Sequence, residues 1–366
     1  DVINAIGTSA YTVLPSDPRK PRWNWSVEEK TYTGFAKLGF GGDLLIPWKG
    51  SLGVQIVSVD QSATGIYVDG NGTQTPNLGG KKYTDVLPSL VLTGDLGRGT
   101  KLRFGVARAV SRPNMADLRA AVNASVGQVI VAGGGTKWLW SGSGGNPSLK
   151  PWLSTDLDLS IEHYFGPGSY VSLAAFDKII KRGIITETST FDFTGLTNTS
   201  GHAADSNIGS FDMPVNINGG WVRGLELSLS LDGKVLSDAL EGFGFSGSYA
   251  YTDSSLPGVD VNGYINPNLK LEGLSKNVVN ATFFYDRNGI QFRIAERYRS
   301  GYSATRHNAF AYVIDTIRPE LLTDLQLGYT FQSGALNGLG IVGEVNNLFD
   351  EPYSATQTVG GKTALK

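Results

Sequence analysis

The chain has 366 residues, 48 of them Gly and none Cys, with 17% charged side chains and a net charge of −2. That charge content falls below the roughly 25% of an average soluble domain, and the near-neutral balance excludes the basic footprint of a nucleic-acid binder. Missing cysteine excludes disulfides, zinc–thiolate sites and thiol nucleophiles, and no run reaches the ~18 apolar residues of a spanning helix, which leaves a membrane-spanning β-barrel open.

The start, Asp1-Val2-Ile3-Asn4, carries no basic region or apolar stretch of a signal peptide, so it reads as a processed end or the interior of a longer chain. From there the pattern has period two. Segments 33–40, 51–59, 84–94 and 101–110 alternate loosely. Leu157, Leu159 and Ile161 alternate cleanly with Asp158, Ser160 and Glu162, followed by 169–182, and Leu225, Leu227, Leu229 and Leu231 alternate with Glu226, Ser228 and Ser230. Phe243, Phe245, Tyr249 and Tyr251 form the next leg, then Val279 to Tyr285, Ile290 to Ile294 and Leu325 to Phe331. Each leg has one greasy and one polar face, and the alternation rule gives roughly twelve or thirteen of them.

The connections alternate as well. Tight turns at Leu96–Gly99, Gly166–Gly168 and Asp286–Gly289, and shorter links at 232–240 and 332–337, are interleaved with long segments 111–150, 183–220, 253–275 and 300–319. Outer-membrane barrels have this asymmetry, short turns at the periplasmic rim and long loops outside. The expected external loops are therefore 111–150, 183–220 and 253–275. Tyr164, Phe165, Tyr170, Tyr249, Tyr251, Tyr285, Tyr298, Tyr302, Tyr329 and Phe331 fall at or near strand ends, the place of an interfacial aromatic girdle, and Trp221 opens a strand in the same manner.

Candidate chemistry is sparse. His163, His202 and His307 stand apart without metal-ligand spacing. The Gly133-Gly134-Gly135 and Gly142-Ser143-Gly144-Gly145 runs lack the context of a phosphate cradle and read as flexible loop. Asp260-Val261-Asn262-Gly263 begins like a calcium loop but has no bidentate Glu, so it reads as a turn. No catalytic residues, metal or cofactor are expected. Trp138 and Trp140 share one face of an extended segment, which offers a stacking platform for a ligand; loop self-packing or an interfacial anchor is the other reading.

Near the end stands Val345-Asn346-Asn347-Leu348-Phe349-Asp350-Glu351-Pro352-Tyr353, a strand that runs out into turn-forming residues and a proline. This run resembles the penultimate-strand signature of TonB-dependent outer-membrane receptors. Tyr83-Thr84-Asp85-Val86-Leu87-Pro88, Ser111-Arg112-Pro113-Asn114, Asn146-Pro147-Ser148-Leu149-Lys150-Pro151, Val222-Arg223-Gly224-Leu225-Glu226 and Leu274-Ser275-Lys276-Asn277 resemble further phrases of that family, in order. The resemblance implies an all-β fold, a transmembrane antiparallel barrel of about 22 strands of which residues 1–366 are the C-terminal part. It also implies an N-terminal plug and a TonB-contacting segment outside this chain, and a structural corner with a buried Arg at Arg112. The chain ends at Lys366 without the family's closing aromatic residue, which fits a piece of a longer protein.

The implied function is active import, not catalysis. A scarce solute (oligosaccharide, siderophore or cobalamin) is captured by external loops and delivered to the periplasm of a bacterium, with the rest of the receptor, TonB and outer-membrane lipid as partners and no nucleic acid. A passive porin shares the alternation but not the ordered phrases. A secreted β-rich carbohydrate-binding protein or hydrolase would place its acidic strand residues in a cleft.

Overall fold

The computed structural model describes residues 24–68, 74–130, 135–196, 198, 200–259, 265–308, 311–359 and 362–365; the Asp260–Gly263 turn and Gly133-Gly134 lie outside them. Its strands are β1 (Ser26–Gly42), β2 (Trp48–Val68), β3 (Gln74–Gly97), β4 (Thr100–Ser111), β5 (Val122–Ile130), β6 (Thr136–Gly144) and β7 (Trp152–Gly166). Then come β8 (Ser169–Asp192), β9 (Ser206–Ile217), β10 (Trp221–Asp232), β11 (Phe243–Val259), β12 (Ile265–Leu269), β13 (Asn277–Arg287) and β14 (Ile290–Arg299). The last are β15 (Tyr302–Asn308), β16 (Ala311–Ile317), β17 (Glu320–Thr330), β18 (Gly340–Val345), β19 (Ala355–Val359) and β20 (Lys362–Leu365).

Twelve of them form a continuous antiparallel wall in the order β1-β2-β3-β4-β7-β8-β10-β11-β13-β14-β17-β18. Every neighbour follows in sequence once the strands inside long connections are set aside. Strands β15, β16, β19 and β20 make a separate small sheet, and β5, β6, β9 and β12 attach beside the wall. The long connections are thus partly strand: 111–150 contains β5 and β6, 183–220 contains β9, and β8 itself continues to Asp192. Sequence alternation missed these strands because they are short or rich in Gly and Ser.

Connections at 43–47, 98–99, 167–168, 233–242, 288–289 and 331–339 lie on one rim. The opposite rim carries 112–151, 193–220, 260–276 and 300–319. The β2–β3 pair is the exception in kind: its link is short, but its strands run 21 and 24 residues and rise above β4, which pairs with β3 only from Ser89 onward. The tight turns depend on backbone that side chains rarely adopt, φ of 81° at Gly97, 51° at Arg98 and 80° at Gly99.

Register fixes the two faces. Leu225 of β10 pairs with Ala175 and Tyr251, Leu227 with Leu173 and Tyr249, and Leu173 in turn with Ile161, which pairs with Leu102. On the far side Phe283 pairs with Ile294 and that with Leu325. One apolar belt therefore crosses the wall, with Leu52, Leu159, Leu173, Leu225 and Leu327 at 50%, 50%, 51%, 52% and 54% exposure. In water such a surface is a liability; it is the surface lipid requires. The opposite, inward face holds ion pairs: Arg103–Glu162 at 2.8 Å, Lys178–Asp156 at 3.1 Å, Arg182–Asp85 at 3.1 Å, Arg297–Asp324 at 3.0 Å and Arg299–Glu320 at 2.7 Å. The belt is edged by rings: Phe40 against Trp48 and Phe243 against Tyr285 toward the short-turn rim, Trp221 and Tyr251 toward the long-loop rim. Tyr164 and Tyr170 depart from the girdle reading. They pair with each other beside a register shift, and the Tyr164 hydroxyl donates to inward-facing Glu162 at 2.7 Å.

Few apolar side chains are buried in the wall, Val59, Ala63, Tyr83 and Leu256 among the described residues. Val126, Trp140, Phe193, Leu196 and Phe211 form a buried apolar cluster, and all belong to the long connections.

Candidate functional site

Strands β5, β6 and β9 join the upper part of β8 in a four-stranded cap. β5–β6 is an antiparallel hairpin, β9 runs antiparallel to β8 from Gly183↔Ile217 to Asp192↔Ile208, and β6–β9 is parallel. A parallel contact requires two distant connections to meet, here residues 139–143 with 206–212. Its packing is aromatic. Trp140 stacks on Phe193 at 5.3 Å and 9°, while Phe191 lies 4.8 Å from Phe211 and 4.9 Å from Phe193.

Small residues permit this contact. A Cβ on Gly142 would come within 2.9 Å of the Phe193 ring, one on Gly144 within 2.8 Å of Phe211, and one on Gly209 would collide with the Trp140 carbonyl. The Gly142–Gly145 run, read from sequence as flexible loop, is therefore largely β6: its glycines are there for close approach, not for freedom.

The cap is tied to the inward face of the tall β2–β3 hairpin. Gln61 donates through Nε2 to the Pro147 and Leu149 carbonyls at 2.7 and 3.3 Å, and Asn77 Nδ2 to the Ala120 carbonyl at 2.7 Å. Gly65 and Gly79 leave room for Ala120 and Pro147. From the other side Asn216 exchanges two bonds with the backbone of Lys150, both 2.9 Å, and Asn146 Nδ2 donates to the Pro214 carbonyl at 3.0 Å. The Asn146–Pro151 phrase thus bridges wall and cap, with Leu149 fully buried between them.

Beneath it lies a polar cluster. Arg182 donates to the Pro151 carbonyl at 2.6 Å and to both Asp85 oxygens at 3.1 and 3.2 Å. Arg112 reaches β1, 3.5 Å from Glu29 and 3.0 Å from the Thr31 hydroxyl. Tyr83 is buried beside these groups. Arg112 itself is 47% exposed, and Pro113 is the buried member of the corner. The expectation of a buried Arg fails because the guanidinium leaves β4 over the inward face, not into a core. Asn114 Nδ2 makes a long 3.4 Å contact to Asp117, whose backbone N–H donates to the Asn114 carbonyl at 2.9 Å and closes the short turn Met115–Leu118.

Trp138 and Trp140 do share a face of β6. Trp140 is only 4% exposed, so its ring is committed to the cap's core. Trp138 is half-buried and stacks on His202 at 3.8 Å and 12°. The His202 backbone is held by its own loop: Asn198 Nδ2 and Ser200 Oγ donate to the His202 carbonyl at 2.7 and 3.1 Å, beside Gly201 at φ 78°. Asp205 clasps the Trp138 backbone, accepting from its N–H and donating to its carbonyl, both 2.8 Å. His163 lies in the wall, its Nδ1 2.7 Å from the Thr100 hydroxyl. No group of three or more metal-ligating side chains occurs among the described residues. Sequence patterns do not reveal Gln61, Asn77 and Asn216; their partners lie 33 to 88 residues away, beyond any local pattern.

The terminal run bends off β18. Asn347 and Asp350 adopt φ of 52° and 53°, Leu348 N–H donates to the Thr323 carbonyl at 2.7 Å, and Asn347 exchanges two bonds with Glu351. Asn346 precedes this turn, and Phe349 and Tyr353 stand 74% and 67% exposed beyond it.

A greasy outer belt and a charged inward face define a membrane wall, and the long-loop rim above it is folded into a cap. The family model described as "TonB dependent receptor-like, beta-barrel" matches residues 4–348. The chain belongs to that family. Proteins of this family are bacterial outer-membrane proteins, and the wall is a part of their antiparallel transmembrane barrel. Among solved structures the chain resembles the siderophore receptor PirA from Acinetobacter baumannii, with TM-score 0.57 at 17% identity over 89% of this chain and 51% of that one. It likewise resembles a mutant of the ferric enterobactin receptor PfeA from Pseudomonas aeruginosa in complex with enterobactin (0.55, 16%, 88% and 49%) and the ferric yersiniabactin uptake receptor FyuA from Yersinia pestis (0.56, 13%, 93% and 45%). The barrel chain thus spans about half the length of the receptors it matches. No curated protein matches it.

Proposed function

We propose that this chain is the C-terminal barrel wall and external cap of a TonB-dependent transporter that captures a scarce solute outside the cell and passes it inward unaltered. A plug and a TonB-contacting segment complete the machinery in this reading. The observation that carries it is the cap itself: two long external connections locked into one sheet over the inward face. A passive pore gains nothing from closing its own mouth with a packed aromatic core. A rigid cap edged by hydrogen-bonding loops suits selective capture.

Trp138 is the proposed contact for the solute, with Trp140 holding the strand that presents it. The receptors it resembles bear names that tie them to ferric siderophores, so a ferric siderophore is the first solute to test, with cobalamin and oligosaccharides beside it. The experiment is uptake by cells expressing the full receptor, with and without TonB. Energy-dependent accumulation of one solute supports the reading; equal, TonB-independent leakage of all of them marks a passive pore. Trp138→Ala should weaken capture about 2- to 12-fold, the equivalent of one stacked pair. Unchanged capture removes Trp138 from the site.

A further inference from the structure

The inward face of β13, β14 and β17 holds a hollow near the short-turn rim, at the end of the wall away from the cap. Elsewhere on this face the arginines are matched. Arg103, Arg112, Arg182, Arg297 and Arg299 stand 2.8, 3.5, 3.1, 3.0 and 2.7 Å from Glu162, Glu29, Asp85, Asp324 and Glu320. Arg293 departs from the pattern, because no carboxylate among the described residues pairs with it. It takes an inward position of β14 between Phe284 and Gln326, three residues above Ile290, which sets it roughly 8 Å from the lower end of the strand along the membrane normal. A cavity of about 300 Å³ opens there, with Phe284, Asp286, Gln291, Arg293 and Gln326 among its lining residues. The Phe284 ring leans over Gly244 of β11, where a Cβ would collide with it, and this leaves space on the β14 side. Gln291 Nε2 donates to Asp286 at 3.4 Å, whereas the Gln326 amide has no partner among the described residues.

We propose that this hollow binds a carboxylate borne on a flat group, as a station for the solute on its way into the periplasm. The donors decide the class. A guanidinium presents two parallel N–H groups in one plane, the match for a carboxylate, and Gln326 adds an amide donor from the neighbouring strand. The Phe284 ring offers an apolar wall to the flat group that carries the charge. Asp286 in the lining, and Glu344 opposite Gln326 on β18, limit how much negative charge can enter, so a single carboxylate fits where a phosphate or a polyanion is repelled. The role as a station rests on the transport reading, since the hollow lies on the inward face and beyond the cap.

The test is equilibrium dialysis of the full detergent-solubilised receptor against salicylate, a flat carboxylate followed by its own fluorescence, with protein-free micelles as the blank. Hydrogen bonds from a guanidinium to a carboxylate contribute about 10- to 100-fold in affinity. Arg293→Gln should therefore bind salicylate weaker by that factor, and neutral salicylamide should bind the parent as weakly as salicylate binds the variant. Arg297→Gln, four residues along the same face and already matched by Asp324, should equal the parent. Equal affinity of parent and Arg293→Gln overturns the proposal. So does an absence of binding by the parent, which would assign the arginine to a carboxylate of the receptor's own plug. Heat-modifiable mobility reports assembly. Should Arg293→Gln fail to assemble, Gln326→Leu must show about a fivefold loss, and no loss there rejects the hollow. Dialysis needs no TonB: binding kept in a receptor that accumulates no solute rejects the transport reading alone, and binding absent from a receptor that accumulates solute normally rejects the hollow alone.

Discussion

Replacing Leu227 by Arg tests the assignment of faces. Leu227 stands six residues from Trp221 and four from Leu231 on β10. At about 3.3 Å per residue and a tilt near 40°, these separations correspond to roughly 15 and 10 Å along the membrane normal, inside an apolar band about 25 Å tall. The new guanidinium would sit near mid-plane between Leu173 and Tyr249, neither of which can pair with it. The expected cost is about 2–4 kcal/mol. Ser228 lies one residue on, between Ser172 and Ser248 on the inward face, where Arg should cost less than about 1 kcal/mol. Reversible folding into lipid vesicles, followed by heat-modifiable mobility across a urea series, measures both. Equal tolerance at the two positions, or greater damage at Ser228, refutes the orientation and with it the lipid belt.

Three further outcomes are expected. Trp140→Ala should destabilise the cap by about 3–5 kcal/mol while the wall still assembles, so proteolysis should open residues 193–205 in a protein that keeps its heat-modifiable band; loss of that band would place Trp140 in the wall's own folding. Gly209→Val forces a side chain against the Trp140 carbonyl and should separate β9 from β6, read as faster amide exchange across 206–212; unchanged exchange would deny the parallel contact. Impermeant thiol reagents on intact cells should label Ala203→Cys and spare Leu236→Cys, since the two lie on opposite rims, and the reverse would invert the topology.

The wall was legible because lipid imposes a simple rule. Leu225 to Leu231 keep strict alternation since every second position meets either hydrocarbon or the polar inside, and the turns announce themselves through residues such as Gly97 and Asn288 that tolerate left-handed backbone. The cap was illegible for the converse reason. Its strands are half covered on both faces, so Val122 to Ile130 and Ser206 to Ile217 show no clean period, and their partners are set by tertiary contacts such as Gln61 to Pro147. Trp138 and Trp140 illustrate both halves: their shared face followed from spacing, but Phe193 and His202, which occupy that face, are more than 50 residues away.

Strand β8 has a mechanical consequence. It runs from the short-turn rim through the membrane wall and into the cap as one paired strand, Ser169 to Asp192, and the register shift opposite Leu153 bends it without releasing it from β7 or β9. A lid swings on a loop that can absorb a change in φ and ψ, and here the cap shares its backbone ladder with the wall. This cap cannot flap as a separate door. Trp138 sits on β6, which reaches the wall only through β9 and β8, so a shift of the cap as a whole has to tilt or shear a strand that also spans the membrane.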